Sequence, residues 1–397
     1  MDLSFTPEER LFREEMREFF HTQIPAAIRE RAQRGEHVGR EAQVETQRIL
    51  NAAGLAVPHW PAEWGGQDWS PVQIYLWQDE MQLAGCPAPL GFNTNMVGPV
   101  IAQFGSEAHK KKFLPATANL DIWWCQGFSE PGAGSDLASL RTSARLEGDE
   151  WVVNGQKTWT TLAQYADWIF CLVRTDATVK KQEGISFLLI DMKTPGITVR
   201  PIQTLDGGRE VNEVWFDEVR VPAENLVGEV NKGWDYAKFL LGNERTGIAR
   251  VGISKARIRR VKELAALERV GDRPMIEDER FREKVALVEV ELKALEMTQL
   301  RVVAAERGAR GKPNPMSSIL KLKGSELQQA TTELLMDVVG PYVLPYVADH
   351  EGSNEEPVGP EYAAEAAPTY FNWRKVSIYG GSNEIQRNIV AKAILGF

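Results

Sequence analysis

The stretch Gly127-Phe-Ser-Glu-Pro-Gly-Ala-Gly-Ser-Asp136 follows an apolar run, Ile122-Trp123-Trp124-Cys125, and consists mostly of small, acidic and turn-forming residues. Such a loop turns several backbone N–H groups and two hydroxyls towards one point, an arrangement that suits a phosphate or the polar edge of a ring. The same residues also make an ordinary turn rich in Pro and Gly. The downstream stretch Trp151-Val-Val-Asn-Gly-Gln-Lys-Thr-Trp-Thr-Thr161 weighs against the ordinary turn. Asn154-Gly155 predicts a two-residue hairpin turn, because both positions tolerate positive φ. The flanking Trp151-Val152-Val153 and Thr158-Trp159-Thr160-Thr161 are good strand formers. A loop and a Trp-Thr-Thr strand placed together would bracket a planar ligand.

Outward from this pair the hydrophobic period changes twice. Residues 1–120 read as helical, beginning with Thr6-Pro7-Glu8-Glu9, an N-cap, a first-turn proline and a capping-box glutamate that launch a helix through His21. The basic segment from Arg29 to Arg40 reads as a solvated face or loop, and a further helix runs from Arg40 to Ala53. Helices resume over 72–84 and 96–104. From 121 to 228 the period is two, with runs such as Trp168-Ile-Phe-Cys-Leu-Val173 and Ile185-Ser-Phe-Leu-Leu-Ile190 separated by Gly148-Asp149, Pro195-Gly196 and Asp206-Gly207-Gly208. This is the pattern of a compact β-domain, a small barrel or sandwich. From 229 to 397 the pattern is helical again: one long helix from Trp234 to about Val270, then 278–307, 317–339 and 382–394, which together predict a four-helix bundle. The expected fold is therefore multidomain α and β, with a helical domain at 1–120, a β-domain at 121–228 and a helical bundle at 229–397.

Composition narrows the function classes. A chain of 397 residues exceeds one ordinary core. No run of about 18 apolar residues occurs, so no membrane insertion is expected. Met1-Asp-Leu-Ser-Phe-Thr-Pro7 lacks the basic and apolar regions of a signal peptide. Cys86, Cys125 and Cys171 sit in apolar company without ligand spacing, the usage of reduced core thiols in a cytoplasmic protein. Five scattered histidines argue against a metal site, and a net charge of −9 argues against nucleic acid as a partner.

The phrases Phe128-Ser-Glu-Pro-Gly-Ala-Gly-Ser-Asp136 and Asn154-Gly-Gln-Lys-Thr-Trp-Thr-Thr161, with Ile378-Tyr-Gly-Gly-Ser-Asn-Glu-Ile-Gln-Arg387 near the end, resemble acyl-CoA dehydrogenases over nearly the whole chain. The resemblance implies FAD, an acyl-CoA substrate, and oxidation between Cα and Cβ. In that chemistry a carboxylate takes the α-proton while the β-hydrogen leaves as hydride. An α-proton is a poor acid until the thioester carbonyl is polarised, so base and oxyanion donors are needed together. By resemblance, Phe128 and Ser129 meet the flavin edge, Trp159 covers the ring and Thr161 lies beside its reactive nitrogen. Gly134, Ser135, Ser382 and Glu384 complete the cofactor contacts, and Ser135 also matches a position near the CoA arm.

Two departures from the family pattern carry information. Many members place the catalytic Glu in a "Tyr-Glu-Gly" motif, whereas this chain reads Tyr379-Gly380-Gly381. Some branches instead place the base on the first long helix of the bundle, at the stretch matching Leu241-Gly-Asn-Glu-Arg245. Helical spacing puts Leu240, Glu244, Gly247, Ile248 and Val251 on one face, a carboxylate in an otherwise apolar or small stripe. Desolvation there would raise its pKa. Glu244 is thus the expected base, with Arg245 ordering the substrate site and the backbone N–H of Gly380 retained as an oxyanion donor. An ion pair between Glu244 and Arg245 or a neighbouring helix is the alternative. The second departure is at the cofactor's adenine end. The family's "Arg-x-x-Phe-Gly" pattern is absent from Gly271-Asp-Arg-Pro-Met-Ile-Glu-Asp-Glu-Arg-Phe281, and its glycine turn is reduced to Val339-Gly-Pro-Tyr342. A homologous partner subunit would repair this, which points to α2β2 branches with paired large and small subunits; the phrases at 123–140 and 154–175 resemble large subunits of the pimeloyl-CoA dehydrogenase type. Related assemblies act on sterol side-chain and ring thioesters. An electron-transfer flavoprotein is the implied acceptor. A homo-oligomeric enzyme for short or branched acyl-CoA, and a non-catalytic subunit, remain alternatives.

Overall fold

The computed structural model describes residues 4–243, 249–306, 316–345 and 358–397. Helix α1 (Pro7–Thr22) opens on Thr6, whose Oγ1 accepts from the Glu9 N–H at 3.2 Å while the Glu9 carboxylate accepts from the Thr6 N–H at 2.9 Å. This closes the capping box expected from sequence. Helix α2 (Ala26–Arg34) takes up the first part of the basic segment that reads as a loop or solvated face; only one of its residues, Ile28, is buried. Then come α3 (Arg40–Ala52), α4 (Pro71–Leu83), α5 (Gly98–Phe104) and α6 (Glu107–Ala118).

The sheet consists of β1 (Trp124–Gly127), β2 (Ser143–Glu147), β3 (Glu150–Thr161), β4 (Trp168–Arg174), β5 (Ile185–Asp191), β6 (Ile197–Ile202) and β7 (Val211–Pro222). Among the described residues they form one curled sheet in the order β1-β4-β2-β3-β7-β6, with β5 paired to β4. Strand β4 shows why it reads as a continuous apolar run. Phe170 and Leu172 face a core shared with Phe20, Leu50 and Phe113 of the N-terminal helices. Ile169, Cys171 and Val173 face the other way, into a core with Trp151, Val214 and Val221. Both faces are covered, so the strand shows no polar alternation.

The hairpin expected at Asn154-Gly155 is not there. Strand β3 runs straight through both residues, and Asn154 pairs with Ser143 across to β2. The turn is Gly148-Asp149, with Gly148 at φ 64° between the paired Glu147 and Glu150. Gly155 serves close approach instead: at φ 146°, a Cβ would fall 2.7 Å from Thr142 Cα. The register shift against β7 between Val153 and Gly155 makes this a bulge, where one strand is bent and twisted locally.

The bundle contains α7 (Gly233–Asn243), α8 (Val251–Leu267), α9 (Glu279–Glu306), α10 (Met316–Val339), α11 (Ala366–Asn372) and α12 (Asn383–Val390), with a small hairpin, β8 (Arg269–Val270) and β9 (Arg273–Pro274), between α8 and α9. The single long helix expected from Trp234 to Val270 is corrected to α7 and α8. Arg250 lies at φ 48°, in the left-handed region, and α8 begins only after it. The helical-face argument that linked Leu240 to Val251 through Glu244 therefore loses its premise. Glu244 and Arg245 themselves fall outside the described residues.

A buried ion network ties the N-terminal helices to the bundle. Glu80 on α4 is held by Arg13 at 2.5 Å and Arg17 at 2.9 Å, and neighbouring Asp79 by Lys255 of α8 at 3.2 Å, which also reaches Glu296 of α9 at 2.5 Å. Cys86, Cys125 and Cys171 are buried and unpaired with one another, as their apolar neighbours in sequence predict. Among the described residues no helix is long and apolar enough to cross a membrane, and no His, Cys, Asp and Glu cluster suits a metal ion.

Candidate active site

The two segments that open the sequence argument are clasped by a buried ion pair. Lys157 of β3, fully buried, donates to Glu130 Oε1 at 2.7 Å and to the Phe128 carbonyl at 3.2 Å. Glu130 also accepts from the backbone N–H of Arg141 at 2.6 Å and of Thr142 at 2.9 Å. Burial alone would raise the Glu130 pKa, but Lys157 and these N–H donors outweigh it and hold the carboxyl below its ordinary range. The Thr158 N–H then donates to the Ser129 carbonyl at 2.9 Å, so loop and strand are fixed edge to edge. Sequence reasoning quoted both halves of this clasp without pairing them. The lysine in a two-sided strand was the available signal, since a buried ammonium requires a partner.

The clasp presents Trp159 outward. Its side chain is 60% exposed although its neighbours Thr158 and Thr160 are buried, and its φ of 58° is rare for a bulky residue. The register shift between Lys157 and Thr160 turns the indole away from the core. Strained backbone at a clustered polar site points to a functional constraint. The residues present fit a flavin. Among the described residues neither the buried Thr160 hydroxyl nor the Ser129 N–H has a hydrogen-bond partner, and Trp159, next to Thr160 in the strand, is exposed. Phe128 is buried against Phe170 and Phe187, which anchors the loop rather than exposing its ring. Thr161 is half-buried at the strand end. Gly134 and Ser135 are exposed, with open space around Gly134.

A cleft of about 1,680 Å³ runs between the N-terminal helices and the bundle. Trp77, Met81, Gly85 and Met96 line it, whereas Phe92 packs against the core and is not among the lining residues. The bundle side contributes Lys238, Phe239, Gly242, Arg250, Arg257, Trp373 and Tyr379. Strand β3 does not reach this wall directly. A seam joins the two: the Leu162 N–H donates to the Glu210 carbonyl at 2.6 Å, Lys375 pairs with the Glu210 carboxylate, and Asn372 donates to Asp206 at 2.7 Å. Residues 372–375 include the cleft residue Trp373, so the 206–210 loop bridges the end of β3 and the cleft wall.

At the C-terminal motif, Gly380 and Gly381 both adopt positive φ, 65° and 79°. No carboxylate stands there. The Gly380 N–H has no partner among the described residues, while the Gly380 carbonyl accepts from Gln386 at 3.3 Å. Ser382 is the N-cap of α12, accepting from the Ile385 N–H at 3.4 Å, and Glu384 is exposed in its first turn. Hydrogen bonds from its own backbone N–H and from Ser382 keep the Glu384 carboxyl below its usual range. Both residues thus already serve the helix end.

Three domain families match the chain in order: the acyl-CoA dehydrogenase N-terminal domain over residues 6–121, the middle domain over 125–219 and the C-terminal domain over 231–395. Among similar proteins, acyl-CoA dehydrogenase IpdE1 of Mycobacterium tuberculosis is 36% identical, covering 91% of this chain and 89% of the relative. Among solved structures, the ChsE4–ChsE5 complex from Mycobacterium tuberculosis contains a chain 32% identical with TM-score 0.84, covering 100% of this chain and 99% of that one. A structure described as the Tcur3481–Tcur3483 steroid ACAD contains one 31% identical with TM-score 0.85, at the same coverage.

Proposed function

This chain belongs to the acyl-CoA dehydrogenase family, FAD-carrying oxidoreductases that act on acyl-CoA, and from that premise we propose that it is the catalytic chain of a heteromer that dehydrogenates a dicarboxylic or bulky, sterol-type acyl-CoA. The observation that carries the reading is the seam at Glu210, which joins the Trp159 strand to a cleft large enough for a bulky acyl group. Relatives named as a two-chain complex and as a steroid enzyme support the heteromer and the substrate class.

In this proposal Phe128, Ser129, Gly134, Ser135, Trp159, Thr161, Ser382 and Glu384 hold FAD, and Ser135 and Arg245 steady the substrate. Bound FAD supplies the two-electron oxidant. The chain's own work is to make the α-proton removable. The Gly380 N–H, without a partner among the described residues, donates to the thioester oxygen and stabilises the enolate as it forms. Glu244 takes the α-proton. Its support is positional: it falls between Gly242 and Arg250, both of which line the cleft, and the family's other base position is occupied by Gly380. An electron-transfer flavoprotein removes the electrons afterwards.

The test is flavin bleaching without oxygen by a panel of acyl-CoAs, using the chain alone and coexpressed with a homologous chain. Bleaching by one substrate class is expected. Glu244→Gln should slow it about 10²–10⁴-fold while flavin content is unchanged. Bleaching at the wild-type rate in this variant would remove Glu244 from the mechanism, and bound flavin that no thioester bleaches would favour a non-catalytic subunit.

A further inference from the structure

The bundle side of the cleft carries two cations that no carboxylate balances among the described residues. Along α8, Lys255 pairs with Asp79 and Glu296, Arg260 with Glu263 at 3.6 Å, and Lys262 with Glu289 at 2.6 Å. Arg250 and Arg257 have no carboxylate partner among the described residues. The guanidinium carbon of Arg257 lies 3.7 Å from the centroid of the Trp373 ring, and that of Arg250 lies 5.5 Å from it. Arg257 Nη1 is buried and has no hydrogen-bond acceptor among the described residues. All three residues line the cleft, with Tyr379 beside them.

This arrangement is costly by itself. Burial pushes the Arg257 guanidinium down to about 9, the like charge of Arg250 adds to this, and only Tyr379 opposes it. The Trp373 face offsets part of the cost by cation–π attraction and fixes the plane of the guanidinium. It does not satisfy the N–H donors, which lie in the plane and remain open. A planar fork held this way matches a carboxylate, which can accept two parallel hydrogen bonds.

We infer that Arg257 and Arg250 form a subsite for a carboxylate carried on the acyl part of the substrate. The inference deepens the acyl-CoA reading above and rests on it. The apolar residues Trp77, Met81, Met96 and Ile253 line the same cleft, which suits an acid with a largely hydrocarbon body. The acyl part is favoured over the CoA phosphates because Tyr379 directly precedes Gly380, where the thioester is placed. The pantetheine arm carries the phosphates well away from that point.

The experiment uses the flavin-loaded full-length chain, with its partner subunit where flavin retention requires one. Binding and anaerobic bleaching are compared for pimeloyl-CoA against heptanoyl-CoA and suberoyl-CoA against octanoyl-CoA, with CoA alone as a reference. The carboxylated member of each pair should bind at least about tenfold more tightly. Arg257→Gln should abolish that preference and leave heptanoyl-CoA and octanoyl-CoA binding within about twofold of wild type, while Arg257→Lys retains part of it. Arg250→Gln should reduce the preference and carries the test if Arg257→Gln does not fold. Arg257→Met, which removes an unpaired charge, should melt higher than wild type in the absence of ligand. Equal binding within each pair in the wild type overturns the subsite while leaving the dehydrogenase reading intact. Equal loss of CoA, charged and uncharged ligands in Arg257→Gln also overturns it and assigns the arginines to the CoA phosphates. Failure of every thioester to bind removes the premise and the inference together.

Discussion

At the scale of single residues, the Lys157–Glu130 pair decides whether the 127–136 loop and β3 stay together. Removing one member leaves a buried charge uncompensated, so Glu130→Gln should cost about 3–5 kcal/mol in denaturant unfolding. The pH dependence has a definite sign. Glu130 titrates lower in the folded chain than in the unfolded chain, for which the ordinary value is 4.5. Its contribution is therefore fully present above that value and is lost as pH falls through the folded pKa. Acid unfolding curves should show a shallower acid limb for Glu130→Gln than for wild type; identical limbs would mean that the clasp does not depend on charge. Trp159 shows the limit of reading a residue from its neighbours. Strand propensity predicts extended backbone at Trp159, yet the structure holds it at a φ of 58° with its indole exposed.

At the scale of elements, β3 is organised by close approach rather than by a turn. Asn154-Gly155 has the composition of a hairpin, and local propensity favours that reading. The wider sheet overrides it, because β2 and β7 pair with β3 on either side and leave no edge at which to fold back. Gly155→Ala should destabilise the chain by about 2 kcal/mol or more, through the contact with Thr142 and the unfavourable φ. A thermal melt unchanged within error would show that the backbones can part at no cost. The α7–α8 break has the same lesson. The apolar period runs across Arg250, but one left-handed residue ends any continuous helix there.

At the scale of the whole molecule, α9 leaves an apolar stripe uncovered. Leu287 and Val290 are 63% and 67% exposed, with Leu267 and Val270 of the adjoining helix and hairpin at 71% and 46%. Exposed apolar surface of this kind marks association sites. Together with the missing adenine-end motifs, it gives a prediction for the assembly: coexpression with a homologous chain should raise flavin content per chain, measured by visible absorbance, and yield a mixed oligomer by native mass. Leu287→Glu with Val290→Glu should abolish the mixed oligomer while leaving the circular dichroism of the chain intact. Full flavin retention in a homodimer would sink the heteromer.

Sequence alone determined the order of helix, sheet and bundle, the capping of α1 and the buried thiols. Each of these depends on local chemistry: period, capping geometry and apolar neighbours. Tertiary structure decided what depends on residues far apart in the chain. Lys157 meets Glu130 only because β3 lies against the loop; the Trp159 strand meets the cleft wall only through the 206–210 and 372–375 seam. Arg257 becomes an unbalanced cation only where Trp373, from the far end of the chain, covers its face and, among the described residues, no carboxylate arrives with it. Periodicity reports which face of an element is buried, whereas charge balance depends on everything packed against that face.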